Sequence, residues 1–228
     1  MRTPYSIGLA AVVFLVLAAF SVWPELDLVV SGLFYVPEQG FIGPDLWALR
    51  ALTDTAYYGA RALGALFALG AIIALIRRRP WLRLPAKAWL FLLLGLLLGP
   101  GLVANVIFKD NWGRARPHTV EAFGGTATYT PPWVLSKACD TNCSFVSGDG
   151  AFGFFLPSFA YVVAPARRRR VFWSGMGLGC LFGGARVVMG AHFLSDVLYA
   201  AVLMLLVAFL LHRLMYGVSD SGRESLNP

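Results

Sequence analysis

Long apolar runs, separated by short polar or Gly/Pro-rich breaks, set the pattern of this chain. Crossing a hydrocarbon core of about 30 Å takes roughly 20 apolar residues as a helix. Six runs approach that length and predict spans over residues 5–23, 58–77, 86–108, 149–165, 171–185 and 196–216. The expected fold class is therefore all-α: a polytopic bundle of six transmembrane helices. Pro100 and Gly101 predict a kink in the third span, and Pro157 one in the fourth. The fifth is short and glycine-rich, which predicts a helix packed inside the bundle rather than facing lipid. Arg2 followed by an apolar run would also suit a cleaved leader. The run is long for that, and the nearest small-x-small site, Ala19-Phe20-Ser21, leads straight into Val22 and Trp23, so residues 5–23 are read as the first span.

The breaks between spans predict the orientation. Residues 77–87 carry Arg77, Arg78, Arg79, Arg83 and Lys87 without an acid, and Arg167 to Arg170 form a second such run. Lys and Arg in short loops mark the cytoplasmic side, so both basic loops and both termini are expected inside. Segments 24–57, 109–148 and 186–195 are then outside. In the first of these, Glu25, Asp27, Glu38, Asp45 and Asp54 face Arg50 alone. Its Phe34, Tyr35, Phe41, Trp47, Leu49, Leu52 and Tyr57 suit an aromatic belt at headgroup level, with a lid beside a lipid entry route as the alternative. The expected organisation is a first helix with an outer interfacial segment (1–57), a core (58–216) and a cytoplasmic tail (217–228).

Composition agrees with a membrane protein. The chain is 58% hydrophobic and 14% charged, against about 25% charged in soluble domains. A net charge of +7 raises the question of nucleic acid, but the two basic loops account for much of it without such a partner. Three cysteines exclude a disulfide scaffold and argue against a thiolate metal cluster. Cys139 and Cys143 lie in an outer segment where a disulfide can persist, and Cys180 reads as packing within span five.

Candidate chemistry concentrates in the other two outer segments. Lys109, Arg114 and Arg116-Pro117 place three cations at the membrane surface. Arg offers phosphate a planar fork of donors and Lys a compact charge. Ser144-Phe145-Val146-Ser147-Gly148-Asp149-Gly150 opens span four, where free N–H groups and the positive helix end suit an anion; an ordinary N-cap by Ser147 or Asp149 explains the same residues. Arg186, His192 and Asp196 follow, and i, i+4 spacing would stack the last two on one helix face, the carboxylate holding one imidazole nitrogen protonated and leaving the other free to attack.

Together these clusters resemble the type 2 phosphatidic acid phosphatase family, which shares its core with vanadium haloperoxidases. The family signature is Lys, six residues, Arg-Pro; then Pro-Ser-Gly-His; then Ser-Arg, five residues, His, three residues, Asp. Lys109, Arg116 and Pro117 match the first part, and Arg186, His192 and Asp196 the third, with Ala185 in place of Ser. The second reads Val146-Ser147-Gly148-Asp149, so both its Pro and its His are replaced. The stretch 142–148 and the segment near 26–42 look most like bacterial lipid A phosphatase-type members.

The resemblance implies an integral-membrane phosphatase acting on a lipid phosphate, monoester or pyrophosphate, in the outer leaflet of the cell (inner) membrane. His192 would be the nucleophile and form a phosphohistidine, with Asp196 as its orienter. Lys109, Arg116, Arg186 and the backbone at Ser147 and Gly148 would hold the phosphate oxygens. No cofactor or metal is implied. Asp149 stands where the family places its general acid. It could take that role if bound phosphate raises its pKa, His118 could replace it, or the site could bind phosphate without cleaving it. A non-catalytic phospholipid-binding or lipid-moving protein and a lipid phosphotransferase are the competing functions. A vanadium peroxidase is disfavoured, since those are soluble.

Overall fold

The computed structural model describes residues 18–217 together with 11, 14 and 15. The first predicted span is helical where it is described, up to residue 22. The rest of it, and all but the first residue of the predicted tail, lie outside the described residues. After it come a short helix α1 (Leu26–Gly32), a two-stranded hairpin of β1 (Tyr35–Val36) and β2 (Gly40–Phe41), and a 3-10 turn (Gly43–Asp45). Helix α2 (Trp47–Arg77) leads to α3 (Ala86–Leu96), which continues as a π-helix (Leu97–Lys109). An outer segment with two 3-10 turns precedes α4 (Gly148–Phe155) and a further 3-10 stretch (Leu156–Tyr161). Helices α5 (Pro165–Val188) and α6 (Leu194–Tyr216) complete the bundle.

Four of these elements are long and apolar enough to cross a membrane: Trp47–Arg77, Ala86–Lys109, Pro165–Val188 and Leu194–Tyr216. Their outer faces expose Ile72, Ile76, Leu97, Leu102, Leu210 and Leu214. In water such a surface would be an aggregation liability, but lipid contact requires it. The two ends of the bundle differ. At one, the Tyr161 ring stacks on His212 (4.3 Å between centroids) and His212 on Tyr216 (4.8 Å), close to the basic loop that follows α2. At the other, the N–H of Cys143 donates to the Lys109 carbonyl (3.1 Å) and that of Ser147 to the Asp196 carbonyl (3.2 Å). All three family-like motifs sit at this second end.

Three expectations about the spans change. The second span begins well before residue 58, because α2 starts at Trp47 and runs 31 residues. At 1.5 Å per residue that is about 46 Å, more than the hydrocarbon core, so its first turns project beyond it. Trp47 and Tyr57 are exposed, as a belt would be, but Phe41 is 7% exposed and packs inward. Pro100, which has no N–H to donate, lies in a stretch that widens into a π-helix, and Asn105 Nδ2 caps its carbonyl at 2.7 Å.

The interior helix is the fourth, not the fifth. Residues Gly150 to Phe155 of α4 are all buried, whereas α5 exposes Trp173, Cys180 and Leu181. Three glycines of α5, Gly175, Gly179 and Gly183, explain both facts, since they line the inward face while Gly177 stands exposed on the other. A Cβ added to Gly153 would sit 2.6 Å from the Gly179 Cα, and one added to Gly179 would meet the Phe154 ring at 2.3 Å. Close backbone approach of this kind is how helices associate where hydrophobic burial gives no advantage. Cys180 is thus an exposed free thiol on the opposite face rather than core packing.

Candidate active site

His192 lies in the turn between α5 and α6 and is 1% exposed. Its Nδ1 is 2.6 Å from the Ser144 carbonyl. A carbonyl only accepts, so Nδ1 carries the proton and Nε2 keeps its lone pair. Burial, with the nearby positive charges of Lys109 and Arg186, pushes the imidazole down to about 3. It is therefore neutral at physiological pH, the form a nitrogen nucleophile needs. The orienting partner differs from the expected one. Asp196 Oδ2 is 3.7 Å from Nδ1, too far for a hydrogen bond. His192 stands before α6, which begins at Leu194, so the helical i, i+4 stacking does not apply.

Asp196 acts one layer behind. Its carboxylate accepts from the Ser144 hydroxyl (2.5 Å) and the Phe193 N–H (2.8 Å), fixing the residue whose carbonyl holds His192. Arg114, expected at the surface, is fully buried and bridges Asp196 Oδ1 (2.5 Å) and Asp27 Oδ2 (2.7 Å). Its Nε donates to the Thr130 carbonyl (2.9 Å). Asp27 in turn accepts from the N–H (2.8 Å) and hydroxyl (2.5 Å) of Ser195. A buried ionic network thus ties α1 to the His192 turn. Replacing Arg114 by leucine leaves two buried carboxylates uncompensated, at a cost of about 3–5 kcal/mol. The thermal midpoint of the detergent-solubilised protein should fall by about 10 °C, and an unchanged midpoint would contradict the role given to this network.

The cations converge in front of this layer. The π-turn brings Lys109 to the start of α4, where a Cβ added to Gly148 would lie 3.3 Å from Nζ. Arg116 donates from Nη2 (2.8 Å) and Nε (3.2 Å) to the Asn142 carbonyl. A Cys139–Cys143 disulfide closes the short loop that presents that carbonyl. Arg186 Nε is 3.2 Å from Asp149 Oδ2, a charge contact that lacks hydrogen-bond alignment. Burial pushes the Asp149 carboxyl up from the usual carboxylate range, against the pull of Arg186, Lys109 and Arg116.

At the helix start the reading of Ser147 needs correcting. Its hydroxyl accepts from the Gly150 N–H (3.2 Å) as an N-cap, and its own N–H is taken by the Asp196 carbonyl. That N–H is therefore not free for phosphate, whereas the hydroxyl keeps its own proton to donate. Gly148 and Asp149, in the first turn, have N–H groups with no helical acceptor. His118 is exposed, and its Nδ1 is 2.9 Å from the Gly190 carbonyl, which leaves Nε2 free. Among the described residues there is no group of three or more His, Cys, Asp or Glu side chains placed to hold a metal.

Asp27 and the Ser144 carbonyl escaped sequence reasoning. Asp27 is one acid among several in its segment, and a backbone carbonyl has no sequence signal. Arg114 was visible as a cation, but its burial was not.

The chain is similar to several known membrane phosphatases. The chain is 34% identical over 213 residues to a lipid A 4'-phosphatase of Francisella tularensis subsp. novicida (strain U112), covering 86% of this chain and 89% of that protein. It is 38% identical over 102 residues to a lipid A 4'-phosphatase of Rhizobium leguminosarum, covering 45% and 44% respectively. The crystal structure of a transmembrane PAP2 type phosphatidylglycerolphosphate phosphatase from Bacillus subtilis superposes with a TM-score of 0.61 over 97% of this chain and 100% of that one, at 22% identity, and shares its fold. The PAP2 superfamily profile matches residues 88–220, and the chain belongs to that superfamily of phosphatases.

Proposed function

We propose that this membrane phosphatase hydrolyses a lipid phosphate at the outer leaflet of the inner membrane through a phosphohistidine on His192. The carrying observation is the neutral His192, with Nδ1 bound to the Ser144 carbonyl and Nε2 unprotonated, beside Lys109, Arg116 and Arg186. In this reading Nε2 attacks phosphorus in line, and the P–N bond forms as the bond to the leaving oxygen breaks. The three cations and the N–H groups of Gly148 and Asp149 stabilise the equatorial oxygens. Asp149 gives its proton to the leaving oxygen. Water then cleaves the P–N bond, its proton passing to Asp149 and phosphate departing. Asp196, acting through Ser144, is a positioning residue.

Six crossings with both termini cytoplasmic fit this reading. The fourth would run from the second turn of α4 through the 3-10 stretch, and the arginine-rich loops would face the cytoplasm. The site would then open to the periplasm. The relatives named lipid A 4'-phosphatase support a phosphorylated lipid as substrate.

The test is phosphate release by purified protein from a panel of lipid A, phosphatidic acid, phosphatidylglycerophosphate and polyprenyl pyrophosphate. At least one should be cleaved by wild type, and release from none would refute the reading. Chelation should leave the rate unchanged, because fixed cations supply the charge a metal would otherwise bring. Loss of turnover in EDTA, restored by Mg²⁺, would show that the clamp is incomplete.

A further inference from the structure

Arg116 reaches the clamp from an irregular stretch, and a single residue sets which way its guanidinium faces. Nε (3.2 Å) and Nη2 (2.8 Å) both donate to the Asn142 carbonyl, and Nη2 donates also to Asn142 Oδ1 (3.0 Å). Nε carries one N–H and Nη2 two, so these contacts occupy that whole edge of the fork. Nη1 makes no hydrogen bond among the described residues and keeps both its donors for a ligand. Arg116, Arg186 and His118 line a cavity of about 410 Å³, which gives such a ligand room.

Asn142 is exposed and lies in no helix or strand. Its φ of +52° is in the left-handed region, which Asn tolerates better than most side chains do. The Cys139–Cys143 disulfide closes the loop around it. Cys143 is fully buried, and its N–H donates to the Lys109 carbonyl (3.1 Å). At the other end the loop rests on Gly113, which has φ +67° and where a Cβ would strike the Ser136 carbonyl and lie 3.4 Å from that of Cys139. Both ends of the loop are thus fastened to the stretch that carries Lys109 and Arg116, and the disulfide fixes the tip between them. None of the three motifs includes Asn142 or either cysteine.

We propose that Asn142 is a positioning residue for the phosphate clamp: its carbonyl, held in place by the Cys139–Cys143 disulfide, turns Arg116 so that Nη1 faces the phosphate. The inference rests on the clamp described above. An arginine already fixed along one edge loses less freedom when it binds an anion than one that swings, so it holds the anion more tightly. Opening the disulfide releases the tip, and with it the aim of Arg116.

The test measures binding of inorganic phosphate to the full-length, detergent-solubilised protein by calorimetry, a readout independent of turnover. Dithiothreitol passes two electrons and two protons to the disulfide, giving two thiols, and is itself oxidised to a cyclic disulfide. This reduction should weaken phosphate binding by about tenfold. Cys139→Ser should bind as weakly as the reduced protein and be indifferent to dithiothreitol. Asn142→Val, whose branched side chain resists the left-handed conformation, should also lose about tenfold. Asn142→Gly adopts that conformation freely and should lose only about threefold, the share of the Oδ1 contact. In an Arg116→Ala background neither Asn142→Val nor dithiothreitol should weaken binding further, because the side chain they act through is gone. A loss of the same size in that background would show that the loop acts on the fold at large, and it overturns the proposal. So does wild-type binding that is unchanged by reduction. If the protein binds phosphate in the expected pattern yet cleaves no lipid phosphate, the phosphatase reading fails and the role of Asn142 stands.

Discussion

Replacing His192 by alanine is expected to abolish phosphate release, by about 10⁴-fold or more, because the variant has lost the atom that attacks phosphorus. Binding of inorganic phosphate should persist, since Lys109, Arg116 and Arg186 remain. A rapid-quench experiment with labelled lipid phosphate should trap acid-labile, base-stable label on wild-type protein and none on the variant. Burial and the neighbouring cations hold the His192 imidazole down at about 3. A lowered histidine pKa means that the neutral form persists until the pH falls through that value, so loss of the nucleophile by protonation belongs to strongly acidic conditions. Between about pH 5 and 8, the range in which an ordinary histidine titrates, His192 should contribute no limb to the kcat/KM profile. Turnover by His192→Ala at a tenth of the wild-type rate would overturn the assignment of the nucleophile.

The motifs were legible because each is local: Lys109 with Arg116, Ser147 with Gly148, and Arg186 with His192 and Asp196 are set by short spacings along the chain. Hydropathy then placed all three at one end of the bundle. What the sequence could not carry was the layer behind them. Arg114 meets Asp27 across 87 positions of sequence, and Ser195 meets it across 168. No periodicity marks such pairs, and a buried Arg reads like a surface one until its carboxylates are found. The His192 partner was misassigned for a related reason. An Asp four residues on is conspicuous, whereas the Ser144 carbonyl is a group every residue has. Span five was misjudged because its glycine content was counted without regard to side. Gly175, Gly179 and Gly183 share one face, which packs inward, while Trp173, Leu178 and Leu181 stay exposed on the other.

Asp149 is where the chain departs from its superfamily, and the largest effect on leaving-group dependence is expected there. The carboxyl is pushed up by burial and pulled down by Arg186, Lys109 and Arg116. A phosphate dianion in the clamp satisfies those three cations and adds negative charge beside Asp149. Both changes favour the protonated carboxyl, the form that can give a proton to the leaving oxygen. Activity should then fall as pH rises through this raised pKa, placing the optimum on the acidic side. Asp149→Asn keeps the shape and can still face Arg186, but it has no acidic proton to give. Cleavage of an alkyl phosphate should slow by about 10²–10⁴-fold, the usual contribution of a general acid. An aryl phosphate such as p-nitrophenyl phosphate departs without protonation and should be cleaved at nearly the wild-type rate. The alkaline limb should also disappear from the variant's profile. His118 borders the same arginines from the cavity side, and His118→Ala should leave the leaving-group dependence of kcat as it is. If His118→Ala instead reproduces the gap between alkyl and aryl substrates and Asp149→Asn does not, the proton comes from His118 Nε2, and the ion pair of Asp149 with Arg186 serves only to orient the clamp.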